Sequence, residues 1–222
     1  MSRQARLGIE YYQKIVLQLS NKIYIWLIVL ACLVSFFSSF GSKLILIEPI
    51  FFNKFLISFN QIQFYDFKTT YLIGNEWWRL ITPMFIHFSL THLIFNSLWI
   101  YILGREIEQL DGKIIFIFLI LFTSISSNYL QYSFSGPSLF GGLSGVVYGL
   151  LGYCFVSETF LRISKFSFPP AIYIFMFVWL LIGFTGFLDF LGFGKIANFA
   201  HLGGLLSGIL SGYIFSMYIK KT

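Results

Sequence analysis

All nine carboxylates of this 222-residue chain lie outside its six long apolar runs, at about 22–40, 86–103, 114–132, 142–157, 170–187 and 197–219. Roughly 20 apolar residues are needed to carry a helix across a bilayer core of about 30 Å. In lipid the backbone must satisfy its own hydrogen bonds, which leaves helices or closed barrels. The pattern therefore predicts six transmembrane helices and excludes a soluble globular enzyme. The composition agrees, with 57% hydrophobic and 11% charged residues, against roughly 25% charged in a soluble domain. The second and fourth runs are the weakest by hydropathy. The first run starts too deep in the chain, and is too long, for a signal peptide, so it reads as a retained span. Cys32 and Cys154 both sit in apolar runs, which supplies neither a disulfide framework nor a cysteine zinc site.

A segment of about 45 residues, 41–85, separates the first two runs. It is rich in Phe and Ile but broken by Lys43, Glu48, Pro49, Lys54, Asp66 and Lys68, and it reads as a large interfacial first loop rather than a span. Its end, Glu76-Trp77-Trp78-Arg79, has the character expected at the headgroup level. The formal net charge is +6. Its basic residues are spread over short segments rather than gathered on one face, so membrane orientation explains them and nucleic acid is not expected as a partner. With a cytoplasmic N-terminus, ten Lys and Arg fall inside against five outside, which puts both termini in the cytoplasm. The fold expected is an all-α membrane protein, with 1–22 a short cytoplasmic segment and 23–222 a single six-helix domain. Pro83, Pro137 and the Pro169-Pro170 pair precede the second, fourth and fifth helices, where a missing N–H is harmless.

By contrast with the carboxylates, His87, His92 and His201 lie in or at the edge of apolar runs, and an intramembrane ionisable residue is a candidate for function. His92, Ser144 and His201 each fall a few residues past a helix start on the outer side, so they should share one depth. At helical spacing His92 shares a face with Asn96, and Ser144 with Tyr148. Gly141, Gly145 and Gly149, with Gly204, Gly208 and Gly212, form two small-xxx-small ladders. These pack helices closely, and the same approach would bring Ser144 to His201. The chemistry this allows is nucleophilic: Ser144 supplies a hydroxyl, His201 removes its proton, and Asn96, His92 and the Ser144 backbone N–H face the oxyanion. No intramembrane carboxylate is available to orient His201, so a dyad is expected, with Tyr148 stacked on the imidazole.

Gly142-Leu143-Ser144-Gly145 and Ala200-His201 resemble the Gly-x-Ser-Gly and Ala-His motifs of rhomboid intramembrane serine proteases of the GlpG type. His87, His92 and Asn96 are similar to the family's second-helix pattern. Trp78-Arg79 resembles its first-loop Trp-Arg, and Gly104-Arg105 with Glu108 its Gly-Arg-x-x-Glu element. The likeness runs from about 76 to 219. It implies a rhomboid-like bundle in which Ser144 is the nucleophile, His201 the base, and His92 and Asn96 the oxyanion donors. Tyr148 and Gly142 would support the site, while Arg79, Arg105 and Glu108 would be structural. His87 would either hold water near the site or serve as a structural histidine at headgroup level. The outer loop Asp189–Phe199 resembles the family's cap over the active site. The resemblance further implies cleavage of transmembrane segments of membrane proteins, contact with membrane lipid, no cofactor or metal, residence in a bacterial inner membrane, and lateral entry of substrate between the second and fifth helices. A catalytically silent rhomboid-like protein that binds client helices is the alternative. A metalloprotease would need His-Glu-x-x-His, and an aspartyl protease two intramembrane aspartates; neither pattern is in the chain.

Overall fold

The computed structural model describes residues 21–59, 61–161, 165–187 and 196–219. Most of the N-terminal segment 1–22 and of the outer loop Asp189–Phe199 lies outside them, as do Arg162, Lys195, Lys220 and Lys221. Six helices of ten residues or more occur among the described residues: α1 (Ile23–Phe37), α2 (Leu90–Trp99), α3 (Lys113–Ser135), α4 (Ser144–Leu161), α5 (Pro170–Gly183) and α6 (Asn198–Ile219). The axis of α2 continues through a widened turn, Ile100–Gly104, into a last helical stretch, Arg105–Leu110. Among the described residues, only Lys113–Ser135 and Asn198–Met217 are both long and apolar enough to cross a membrane by themselves; Ile23–Phe37 and Pro170–Phe184 are apolar but shorter.

Local chemistry sets the ends of these helices. Ser89 caps α2, its hydroxyl accepting the His92 N–H at 3.2 Å as an N-cap serine does. Pro170 stands in the first turn of α5, where proline's fixed φ suits helix initiation. Glu108 is buried and accepts the Tyr24 N–H at 3.1 Å, placing a carboxylate against the positive end of α1.

Around an apolar core that includes Leu103, Phe116 and Leu150, the bundle exposes many large apolar side chains and buries small polar ones. Phe36, Ile114, Phe177, Leu210 and Met217 are exposed, whereas Thr123, Ser124, Ser127, Asn128 and Gln131 of α3 and Ser207 and Ser211 of α6 are buried. Hydrocarbon as solvent gives this arrangement, since lipid contact removes the penalty for exposed Leu or Phe while small residues allow helices to approach. The approach is closest between α4 and α6. A Cβ added to Gly204 would stand 1.9 Å from the Gly145 carbonyl oxygen, and one on Gly208 would stand 1.9 Å from that of Gly149. The two ladders do not simply face each other. Gly145 and Gly149 turn their own missing side chains toward Ser127 and Thr123 of α3, and Gly141 faces Pro83 and Ile86.

The first loop departs from the all-α expectation. It contains an antiparallel hairpin, β1 (Phe55–Ser58) and β2 (Gln61–Phe64), pairing Phe55 with Phe64 and Ile57 with Ile62. Aromatic and β-branched residues in period-two alternation favour such pairing. Phe55 also joins Ile47, Phe51 and Ile86 in a small core of the loop's own. Arg79 does not lie at a wet headgroup surface either: its side chain is 2% exposed. It pairs with Glu76 at 2.5 Å and Glu48 at 3.0 Å and donates to the Phe51 carbonyl at 3.0 Å and to that of Glu48. A buried guanidinium needs that many partners to offset its desolvation. The segment after it is tied to α3, where the Asn128 amide donates to the Leu80 carbonyl at 2.9 Å.

Candidate active site

Ser144 is the first residue of α4, reached by a turn in which Gly142 has φ +119°, a conformation that only glycine adopts without strain. Space demands glycine there as well, because a Cβ at Gly142 would sit 2.6 Å from the His92 ring and 3.4 Å from the Asn96 amide nitrogen. Two other N–H groups of the turn are engaged. Gly142 donates to the Pro83 carbonyl at 3.1 Å and Leu143 to His87 Nε2 at 3.4 Å. Among the described residues the Ser144 N–H has no hydrogen-bond acceptor, as befits the first turn of a helix.

His201 lies in the first turn of α6, and its Nε2 is 2.9 Å from Ser144 Oγ. The Tyr148 ring stacks on the imidazole at a centroid distance of 4.7 Å and an interplanar angle of 28°, while its hydroxyl donates to the Met176 carbonyl of α5 at 3.0 Å. Among the described residues no carboxylate bonds to His201. Imidazole orientation thus falls to ring stacking and to the placement of α6. That placement involves a residue the sequence reading passed over: the Gln131 side-chain oxygen accepts the Ala200 N–H at 3.1 Å. The signal was available, since Gln131 is a polar side chain within an apolar run.

His92 and Asn96 both border the space over Gly142. Of the three histidines, His87 is the most deeply buried. It is fully buried rather than at headgroup level, and it contacts Asn96, Leu143 and Phe85. A cavity of about 380 Å³ opens at Ser144, and Phe95, Met176, Trp179 and Ala197 are among the residues that line it. Phe95 of α2 stacks on Trp179 of α5 at 5.6 Å. Among the described residues no three or more His, Cys, Asp or Glu side chains gather as metal ligands would.

The set has the parts that acyl transfer would need: a hydroxyl in contact with an imidazole, and the Asn96 amide lining the same pocket. A family model for the rhomboid domain matches residues 74–218. The chain belongs to the rhomboid family. It is 36% identical over 146 residues to Rhomboid protease GlpG of Salmonella newport (strain SL254), and to the same degree to the proteins so named from Salmonella heidelberg (strain SL476) and Salmonella agona (strain SL483). The aligned part is 66% of this chain and 51% of each relative, so the chain spans about half the length of the relatives it matches. Family and apolar helices together make it an integral membrane protein.

Proposed function

We propose that the chain is an intramembrane serine endopeptidase that hydrolyses peptide bonds in transmembrane segments of membrane proteins. The observation that carries the reading is the 2.9 Å contact between Ser144 Oγ and His201 Nε2 at the cavity. In the reaction Ser144 Oγ attacks the scissile carbonyl carbon while His201 Nε2 takes its proton. The oxyanion is met by the Ser144 N–H, the Asn96 amide and His92. Collapse of the tetrahedral intermediate breaks the C–N bond, and His201 returns its proton to the leaving amine. Water then attacks the acyl carbon as the same nitrogen takes its proton; the C–Oγ bond breaks, and the proton passes from His201 to Ser144 Oγ. Tyr148 supports the imidazole, and Gly142 keeps the turn clear of His92.

The substrate strand must unwind at the site, because a helix hides its carbonyls. Entry from lipid between α2 and α5 is supported by their meeting through rings, Phe95 on Trp179 and Trp99 on Phe175. Side-chain rotation parts such a contact more easily than a glycine seam. The wider frame of the proposal is a single domain over 23–222 with six spans in a bacterial inner membrane and both termini cytoplasmic. Charge asymmetry supports the orientation, and the exposed apolar side chains of α1, α3, α5 and α6 support lipid contact. No observation favours the catalytically silent alternative.

The test is cleavage of a generic transmembrane substrate by purified protein in proteoliposomes. Ser144→Ala and His201→Ala should each abolish cleavage while melting like the parent, and a fluorophosphonate should label only the parent. Retained cleavage by either variant overturns the dyad.

A further inference from the structure

We infer that His87 is a positioning residue that sets which way the Asn96 carboxamide faces, and thereby aims an N–H at the oxyanion site. The inference rests on the oxyanion reading of Asn96 given above. Its basis is the polarity of two backbone groups that clamp the His87 ring. Leu143 N lies 3.4 Å from Nε2, and an amide N–H can only donate, so Nε2 carries the lone pair. The Phe85 carbonyl lies 3.3 Å from Nδ1, and a carbonyl can only accept, so Nδ1 carries the proton. Both ends of the imidazole are thus assigned by main chain that has no freedom to reverse.

The assignment propagates to Asn96. Its amide nitrogen lies 3.1 Å from the same Nε2, and a nitrogen lone pair accepts from –NH2 but repels a carbonyl oxygen. The Asn96 –NH2 must therefore point toward His87. One of its hydrogens shares the Nε2 lone pair with the Leu143 N–H, from the shorter distance. The nitrogen also lies 3.4 Å from the position a Cβ would occupy on Gly142, beside the His92 ring, so the second hydrogen is left for the space over the turn. Without His87 the carboxamide could rotate by a half turn and present its oxygen to a developing negative charge. Asn96 is 1% exposed and His87 fully buried, so no bulk water competes for the amide. The His87 and His92 rings are 4.9 Å apart, which places the clamp next to the second donor.

The test compares kcat and KM of His87→Leu, His87→Gln, Asn96→Ala and the His87→Leu/Asn96→Ala double variant in the same proteoliposomes, with melting recorded for each. Loss of one preorganised oxyanion donor typically costs about 10²- to 10³-fold in kcat. Asn96→Ala is expected to fall in that range with KM little changed, and His87→Leu to fall by a similar factor. The double variant should be no slower than Asn96→Ala, because His87 acts through that amide. Gln places an acceptor oxygen near the Nε2 position, so His87→Gln should regain most of the loss. In the parent, 15N NMR of labelled histidine should find His87 protonated on Nδ1, a readout that needs no variant to fold. Asn96→Ala with unchanged kcat would sink the oxyanion reading itself. If Asn96→Ala is slow while His87→Leu is not, or the two losses multiply, or His87 is protonated on Nε2, the oxyanion reading stands and the positioning role is refuted.

Discussion

Glycine to alanine in a helix interior ordinarily stabilises, by about 0.8–1.0 kcal/mol of backbone propensity. At Gly208 the sign should reverse. The new Cβ would stand 1.9 Å from the Gly149 carbonyl oxygen, about 1.5 Å short of the 3.4 Å at which ordinary contact begins. Backbone cannot swing aside as a side chain can, so α4 and α6 must part. Overpacking of that kind costs about 1–3 kcal/mol and occasionally more. At the upper end of that range it outweighs the propensity gain, leaving a net loss of about 2 kcal/mol. Gly212 is the internal control. There the nearest atoms are Val156 Cβ at 2.9 Å and the Tyr153 carbonyl oxygen at 3.0 Å. A shift of a few tenths of an ångström would relieve most of the strain, so overpacking of about 1 kcal/mol and propensity nearly cancel. Activity should follow the separation, because a misplacement of about 1 Å between reacting groups costs on the order of 10²-fold. The assay is thermal melting in detergent by tryptophan fluorescence, with initial cleavage rates measured well below each midpoint. Gly208→Ala melting at or above the parent, or Gly212→Ala proving the worse of the two, would refute the account of the seam.

Arg79→Met should destabilise the first loop by about 3 kcal/mol, because it leaves Glu48 and Glu76 without their buried partner; urea titration read at Trp77 and Trp78 measures it, and parental stability would contradict the buried network. Burial alone would raise the Glu76 carboxyl, but the hydrogen bonds and charges of Arg79 and Lys54 outweigh it and hold the pKa below its usual 4.5. Glu76 therefore adds stability above that unfolded value and loses it as pH falls through the lower folded one, so melting should drop on acidification below about 4.5 and drop less in Glu76→Gln. Tyr148→Phe keeps the ring on His201 and loses only the bond to Met176, so it should retain far more kcat than Tyr148→Ala; equal losses would shift the weight from stacking to the hydroxyl. A reporter fused after Thr222 should read cytoplasmic and one inserted near Gly192 external, and the reverse would move the site to the other leaflet.

The sequence makes Ser144, His201, His92 and Asn96 legible for one reason: polar side chains stand out in apolar runs, and helical spacing then sorts them onto faces. The contact between α4 and α6 is readable through the two glycine ladders, though not the sideways turn of Gly145 and Gly149 toward α3. His87 resisted placement because α2 begins only at Leu90. It precedes the helix, so no periodicity relates it to His92 or Asn96. The burial of Arg79 depends on Glu48, 31 residues earlier, a pairing that no local pattern announces. The hairpin was hidden by the richness of its surroundings in Phe and Ile, which blurs a four-residue alternation.

A ladder of glycines at every fourth residue is periodic, and a periodic seam is degenerate to sliding. Shifted by one helical turn, α6 would lay Gly204 against Gly149 and find the same fit at that pair, yet His201 would face the wrong residue and the hydroxyl would have no base. The registry must come from features that do not repeat. The same slip would bring Gly208 to Tyr153, whose ring is buried in the core, while the Tyr148 stack on His201 and the Gln131 bond to Ala200 exist in one alignment only. The seam supplies proximity and the aromatic and amide stops supply phase, so exchanging those stops would leave a well-packed bundle whose two reacting groups are out of step.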